Sequence, residues 1–119
     1  MKKFSLLLLV AFVLFAFVAC APQLRFKNDT GGDYNYDKFE ITFDGAVYDV
    51  KDLKDGEATP YKFVKAGTKH TCKYVVSYMN MEITYEFSEQ DMEEEGLNKD
   101  LKNGKKYTAS LEGNGITED

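Results

Sequence analysis

Few residues in this chain are of types that do chemistry. The only histidine is His70, and Cys72 follows two positions later. An imidazole beside a thiol can serve a nucleophilic mechanism or hold a soft metal. Read as neighbours on one strand face, the two are too rigidly aligned to act as nucleophile and base across a cleft. Met79 and Met81 would add thioethers suited to copper. His70 and Met79 lie nine residues apart, however, which is about 30 Å along one strand at about 3.3 Å per residue. Oxygen ligands recur in Asp33-x-Asn35-x-Asp37 and in Asp91-x-Glu93-x-Glu95-Gly96, spacings that echo a calcium-binding loop. The first has Lys38 where the turn glycine belongs, and the second has Lys102 where a bidentate Glu belongs. The candidate ligands are therefore Asp33, Asn35, Asp37, His70 and Cys72, and they assemble no metal site. No catalytic constellation is present, and the sequence reads as a protein that is not an enzyme. Tyr34 and Tyr36 stand in a stretch of glycines and acids where core packing needs no aromatics, so they are the candidate binding residues.

Cys20 is the remaining reactive position, and its setting explains it. Lys2 and Lys3 are followed by a run, Leu6 to Ala19, in which every residue is apolar. A positive start, a short apolar core and a small residue before a cut form an export signal. The end of the run, Phe17-Val18-Ala19-Cys20, resembles the lipobox of bacterial lipoproteins. That resemblance implies cleavage after residue 19, a diacylglycerol in thioether linkage and a further acyl chain on Cys20, and a membrane-anchored mature protein. Phe17 stands where the family usually has Leu. Ala21 resembles the sorting position that permits transfer to the outer membrane. If left uncut, Phe4 to Ala21 would instead be a signal anchor, and either way the body of the chain is exported. Lipidation of Cys20 would also leave Cys72 without a partner, and the expectation is a buried thiol behaving as a small hydrophobe.

The expected organisation is thus a signal segment, 1–19, and a mature chain, 20–119, with one domain over about 23–113. Removing Lys2 and Lys3 takes the formal charge from −5 to −7. An acidic body repels phosphate backbones, which argues against nucleic-acid partners. It repels anionic headgroups too, so membrane attachment is expected to rest on the lipid alone.

The elements that must position these residues read as strands. Phe39, Ile41 and Phe43 alternate with polar residues, and Asp44-Gly45 supplies a two-residue hairpin turn leading into Ala46–Val50. Tyr61–Val64 is a short strand. His70–Met79 reads as a long one, with His70 near its exposed end and Cys72 in the core. Met81, Ile83, Tyr85 and Phe87 alternate with Glu82, Thr84 and Glu86 in the clearest two-faced strand. Ser88 and Asp91 predict a capped helical turn. Tyr107–Leu111 is the last strand, and Gly113–Asp119 is expected to fray.

About seven short strands after a signal helix predict an all-β chain folded as a single small antiparallel β-sandwich. Leu101 followed by Tyr107 resembles the tyrosine corner of immunoglobulin-like and fibronectin type III sandwiches, which implies a hydroxyl bonded back to the chain; a prealbumin-like sandwich fits as well. The functional expectation is a lipid-anchored envelope protein that binds or organises, with the membrane and an envelope or host protein as partners. The alternatives are a periplasmic inhibitor or a metal- or ligand-binding lipoprotein. Small lipoproteins that inhibit host lysozyme are similar in size and all-β character, but they are usually stapled by disulfides that Cys72 cannot supply.

Overall fold

The computed structural model describes residues 21–32, 34–112 and 115–119. The signal segment with Cys20, and Asp33 of the proposed calcium loop, lie outside the described residues. The described residues are all-β apart from one short helix. The strands are β1 (Gln23–Lys27), β2 (Lys38–Phe43), β3 (Ala46–Asp49), β4 (Lys62–Phe63), β5 (Cys72–Tyr78), β6 (Met81–Phe87), β7 (Lys106–Ser110) and β8 (Ile116–Glu118), with α1 (Glu89–Glu94) between β6 and β7. They form a sandwich of two four-stranded sheets, ordered β4-β1-β7-β8 and β3-β2-β5-β6.

The hairpins follow from local chemistry. Asp44 and Gly45 both have positive φ, 47° and 88°, the geometry of a two-residue turn whose twist matches that of the strands. Phe43 consequently sits opposite Ala46. The next hairpin closes on Met79 and Asn80, also at positive φ (52° and 64°), and runs in register from Tyr78 opposite Met81 to Cys72 opposite Phe87.

Alternation then decides what is buried. Leu24 and Phe26 of β1, with Tyr107 and Ala109 of β7, face Ile41 and Phe43 of β2, Tyr48 of β3 and Cys72 of β5. Phe26 packs edge-on against Tyr48, their centroids 4.7 Å apart. The Tyr48 hydroxyl crosses between the sheets and donates to the Leu24 carbonyl at 2.8 Å. Met92 of α1 is buried, and Leu97 packs against the same core.

Three expectations need correction. The sheet containing β1 is mixed, because β1 pairs with β7 in parallel, from Gln23 opposite Lys106 to Lys27 opposite Ser110. Among the described residues the strands number eight, because the segment expected to fray contributes β8, antiparallel to β7. Backbone pairing, the Ile116 side chain against the core and the bonds made by Asp119 hold it there. The Thr108 hydroxyl donates to Asp119 at 2.7 Å, and the Tyr61 hydroxyl donates to the same carboxylate. Finally, β5 begins at Cys72, and His70 precedes it with its ring turned inward and fully buried.

The clip implied by the tyrosine-corner resemblance is present: the Lys102 amide donates to the Tyr107 hydroxyl at 2.9 Å. It fixes the loop that delivers the chain to β7.

Candidate functional site

The connection from β1 to β2 carries Tyr34 and Tyr36, and one buried amide shapes it. Asn28 is fully buried; its side-chain NH₂ donates to the Gly32 and Leu53 carbonyls at 2.9 and 2.7 Å. Its side-chain oxygen accepts from the Thr30 hydroxyl at 2.7 Å. Gly31, at φ 84°, turns the chain where a Cβ would be strained, and its amide donates to Asp55 at 3.0 Å. The loop is thereby tied to the segment after β3, and the two tyrosines are laid against the end of β2 and β5.

The strand register supplies the floor for them. Phe39 lies opposite Val76, which lies opposite Ile83, while Tyr78 lies opposite Met81. These residues share one sheet face, since cross-strand partners point the same way. Tyr34 packs on Phe39 at 4.6 Å between centroids, and Tyr36 packs on Phe39 at 5.4 Å. Tyr36 meets Tyr78 edge to face at 6.1 Å. Between Thr30, Gly31, Gly32 and the three tyrosines opens a cavity of about 600 Å³. Burial first, then the neighbouring Tyr36 and Asp29, push the Tyr34 hydroxyl above its ordinary value, so it stays a neutral donor at neutral pH.

Beyond this cluster the apolar face of β6 is uncovered. Tyr78, Met79, Met81, Ile83 and Tyr85 are 46–73% exposed. The strict alternation of β6 identifies an apolar face correctly, yet the opposite sheet does not reach it. Exposed apolar residues grouped in this way mark interaction surfaces. Tyr34 and Tyr36 were visible as candidates in the sequence. Tyr78 and Phe39 were not, because only the pairing of β2 with β5 brings them into the cluster.

His70 has a different role. Its Nδ1 lies 2.6 Å from Asp44 Oδ2, and its Nε2 lies 2.7 Å from the Gly67 carbonyl and 3.2 Å from that of Lys99. Phe43 lies beside the ring at 5.1 Å. Both nitrogens face acceptors, so the ring is a buried structural tie between three loops. Cys72 is a free, buried cysteine, and burial pushes its thiol up to about 11, away from nucleophilic use near neutrality. Asn35 and Asp37 are exposed. Asp91 is committed to capping α1, accepting from the Ser88 amide and hydroxyl, both at 2.9 Å. Among the described residues, no group of three or more His, Cys, Asp or Glu side chains is placed to hold a metal ion.

The chain matches no protein-family model and no curated protein sequence. Fold and geometry together define a small β-sandwich with an aromatic, partly apolar surface at one end.

Proposed function

We propose that this chain is an exported protein, lipid-anchored through Cys20, whose non-catalytic sandwich is a binding module of the bacterial envelope, in the outer membrane. The observation that carries this reading is the opposition of its two ends. The chain enters the sandwich at Pro22, whose carbonyl accepts from the Val64 amide at 2.9 Å. The loop following Val64 reaches the Asp44 turn, where the Thr71 amide donates to Asp44 at 2.8 Å. Pro22, Asp44 and the start of β5 therefore share one end. Tyr34, Tyr36 and Tyr78 share the other, since β1, β2 and β5 each run the full length of the sandwich. An anchor at the first end turns the aromatic surface outward, where a partner can reach it. Diacylglycerol and a further acyl chain on Cys20 together give firm attachment, whereas one chain alone binds marginally.

Two measurements test this reading. Intact mass of membrane-extracted protein is expected to show a chain beginning at acylated Cys20; an uncut chain from Met1 overturns the anchor. Cross-linking in envelope preparations is expected to give adducts that a Tyr36→Ala, Tyr78→Ala variant loses while its melting temperature stays close to that of the parent. Adducts of unchanged yield would place the binding surface elsewhere.

A further inference from the structure

The two sheets do not end alike. Three of their four edges are short: β4 has two residues, β8 three and β3 four. Shortness is one way in which proteins keep an edge from pairing with another chain. The fourth edge is β6, with seven residues and no proline or lysine among them. Its pairing with β5 runs unbroken from Tyr78 opposite Met81 to Cys72 opposite Phe87. Because only Met79 and Asn80 separate these strands, Tyr78 and Met81 exchange backbone hydrogen bonds, and along the ladder such pairs alternate with pairs that make none. Met81, Ile83, Tyr85 and Phe87 therefore turn their amides and carbonyls toward β5. Glu82, Thr84 and Glu86 turn theirs outward, where no further strand lies among the described residues.

The side chains of this edge separate by face. Met81, Ile83 and Tyr85 are exposed on the apolar side. Glu82 and Glu86, also exposed, lie on the other side with Thr84 between them. Lys73 stands opposite Glu86 across the ladder, whereas Glu82 faces Ser77. From Tyr74 to Asn98 the chain holds no lysine or arginine but seven carboxylates, two on β6 and five on or next to α1. A second copy pairing through β6 would double this charge along the shared edge. The symmetric register about Thr84 would also set Glu82 directly against Glu86, and like charges opposite each other across strands are unfavourable. Charge thus selects against self-pairing and in favour of a cationic strand.

We propose that β6 accepts an extended segment of a cationic partner protein as an added strand of its sheet. The partner's backbone bonds to the outward groups of Glu82, Thr84 and Glu86. Its alternate side chains are apolar against Met81, Ile83 and Tyr85, and Lys or Arg against Glu82 and Glu86. In strand addition the main-chain bonds supply affinity, and the alternating side chains supply specificity. The added apolar side chains cover the stripe that the opposite sheet leaves open. The proposal rests on the reading of the sandwich as a binding module and adds the chemistry of what it binds; it does not depend on Cys20.

The probe is a synthetic peptide, Val-Lys-Val-Thr-Val-Lys-Val, blocked at both ends and reading the same in either direction. Its control carries Glu in place of both Lys. The full chain, extracted in detergent, is titrated with each, and amide exchange is followed by NMR. The lysine peptide is expected to bind about tenfold tighter than the control, and less tightly as salt rises. The amides of Glu82, Thr84 and Glu86 should gain protection, while those of Ile83 and Tyr85, already bonded to β5, change little. Thr84→Pro removes an outward donor at a place where an edge strand tolerates proline, and it should abolish binding. Glu82→Lys with Glu86→Lys, at exposed positions, should reverse the preference to the glutamate peptide, so the test does not hang on the proline variant folding. Equal binding of the two peptides, or protection gained elsewhere, overturns the proposal. So does protection of the same amides on raising protein concentration without peptide, which would make a second copy the occupant. The cross-linking of the Tyr36→Ala, Tyr78→Ala variant judges the binding module separately, whichever way the peptide result falls.

Discussion

His70 and Asp44 meet at 2.6 Å with both side chains nearly removed from water, 0% and 6% exposed. The contact joins the loop before β5 to the β2–β3 turn, and through Nε2 it also gathers the Gly67 and Lys99 carbonyls. With acceptors facing both nitrogens, the ring ties the β2–β3 turn on one edge to the Gly67 and Lys99 loops on the other. Removing one partner of a buried pair leaves the other uncompensated, at a cost of about 3–5 kcal/mol. His70→Ala is therefore expected to lower the urea midpoint by an amount corresponding to that loss. Asp44→Asn should be similarly costly, and the double variant less costly than the sum of the two. A loss below about 1 kcal/mol, the scale of a surface ion pair, would refute the buried tie.

Acid should loosen the final strand before the rest of the sandwich. Asp29 accepts from the Ser110 hydroxyl at 2.5 Å and from the Glu112 amide at 3.1 Å. The Ser110 bond chiefly holds its carboxyl below the ordinary 3.8. For Asp119, partial burial works in the opposite direction, but hydrogen bonds from Tyr61 and Thr108 and the charges of Arg25 and Lys106 outweigh it and also lower the carboxyl. A carboxyl depressed in the folded state adds stability that is present above 3.8 and disappears as pH falls through the folded value. Amides of β7 and β8 are expected to lose hydrogen-exchange protection below about pH 4 while those of β2 and β5 keep theirs. Asp29→Asn should flatten the acid dependence of the melting temperature. An equally steep dependence in the variant would assign the effect to other groups.

Those contacts also show where the sequence stops being legible. Alternation along Phe39–Phe43 and Met81–Phe87, the Asp44-Gly45 turn, the Ser88–Asp91 cap and the Tyr107 clip were readable because each is encoded within a few residues. The parallel pairing of β1 with β7 was not, since Leu24 and Phe26 announce a strand without naming its neighbour. Ile116–Glu118 is short and polar and gains its order from backbone pairing and from Asp119. His70 looked exposed because its partners, Asp44 and Lys99, lie 26 and 29 residues away. At the aromatic surface, Tyr34 and Tyr36 stood out by their polar surroundings, while Tyr78 looked like an ordinary strand residue.

The β5–β6 turn offers a way to separate stability from binding at the aromatic end. Met79 and Asn80 both occupy left-handed backbone, at φ 52° and 64°, and Met79 is 73% exposed. A residue with a Cβ pays about 1–2 kcal/mol there, and Asn-Gly is the pair that suits such a turn. Placing Met79→Asn with Asn80→Gly is expected to raise the urea midpoint by the equivalent of about 1 kcal/mol, because the register from Tyr78 to Phe87 needs no change. If Met79 is instead kept for contact with a partner, the same variant should cross-link less in envelope preparations although it is more stable. A midpoint that stays level or falls would mean that the exposed methionine makes folded-state contacts worth more than the strain of its backbone.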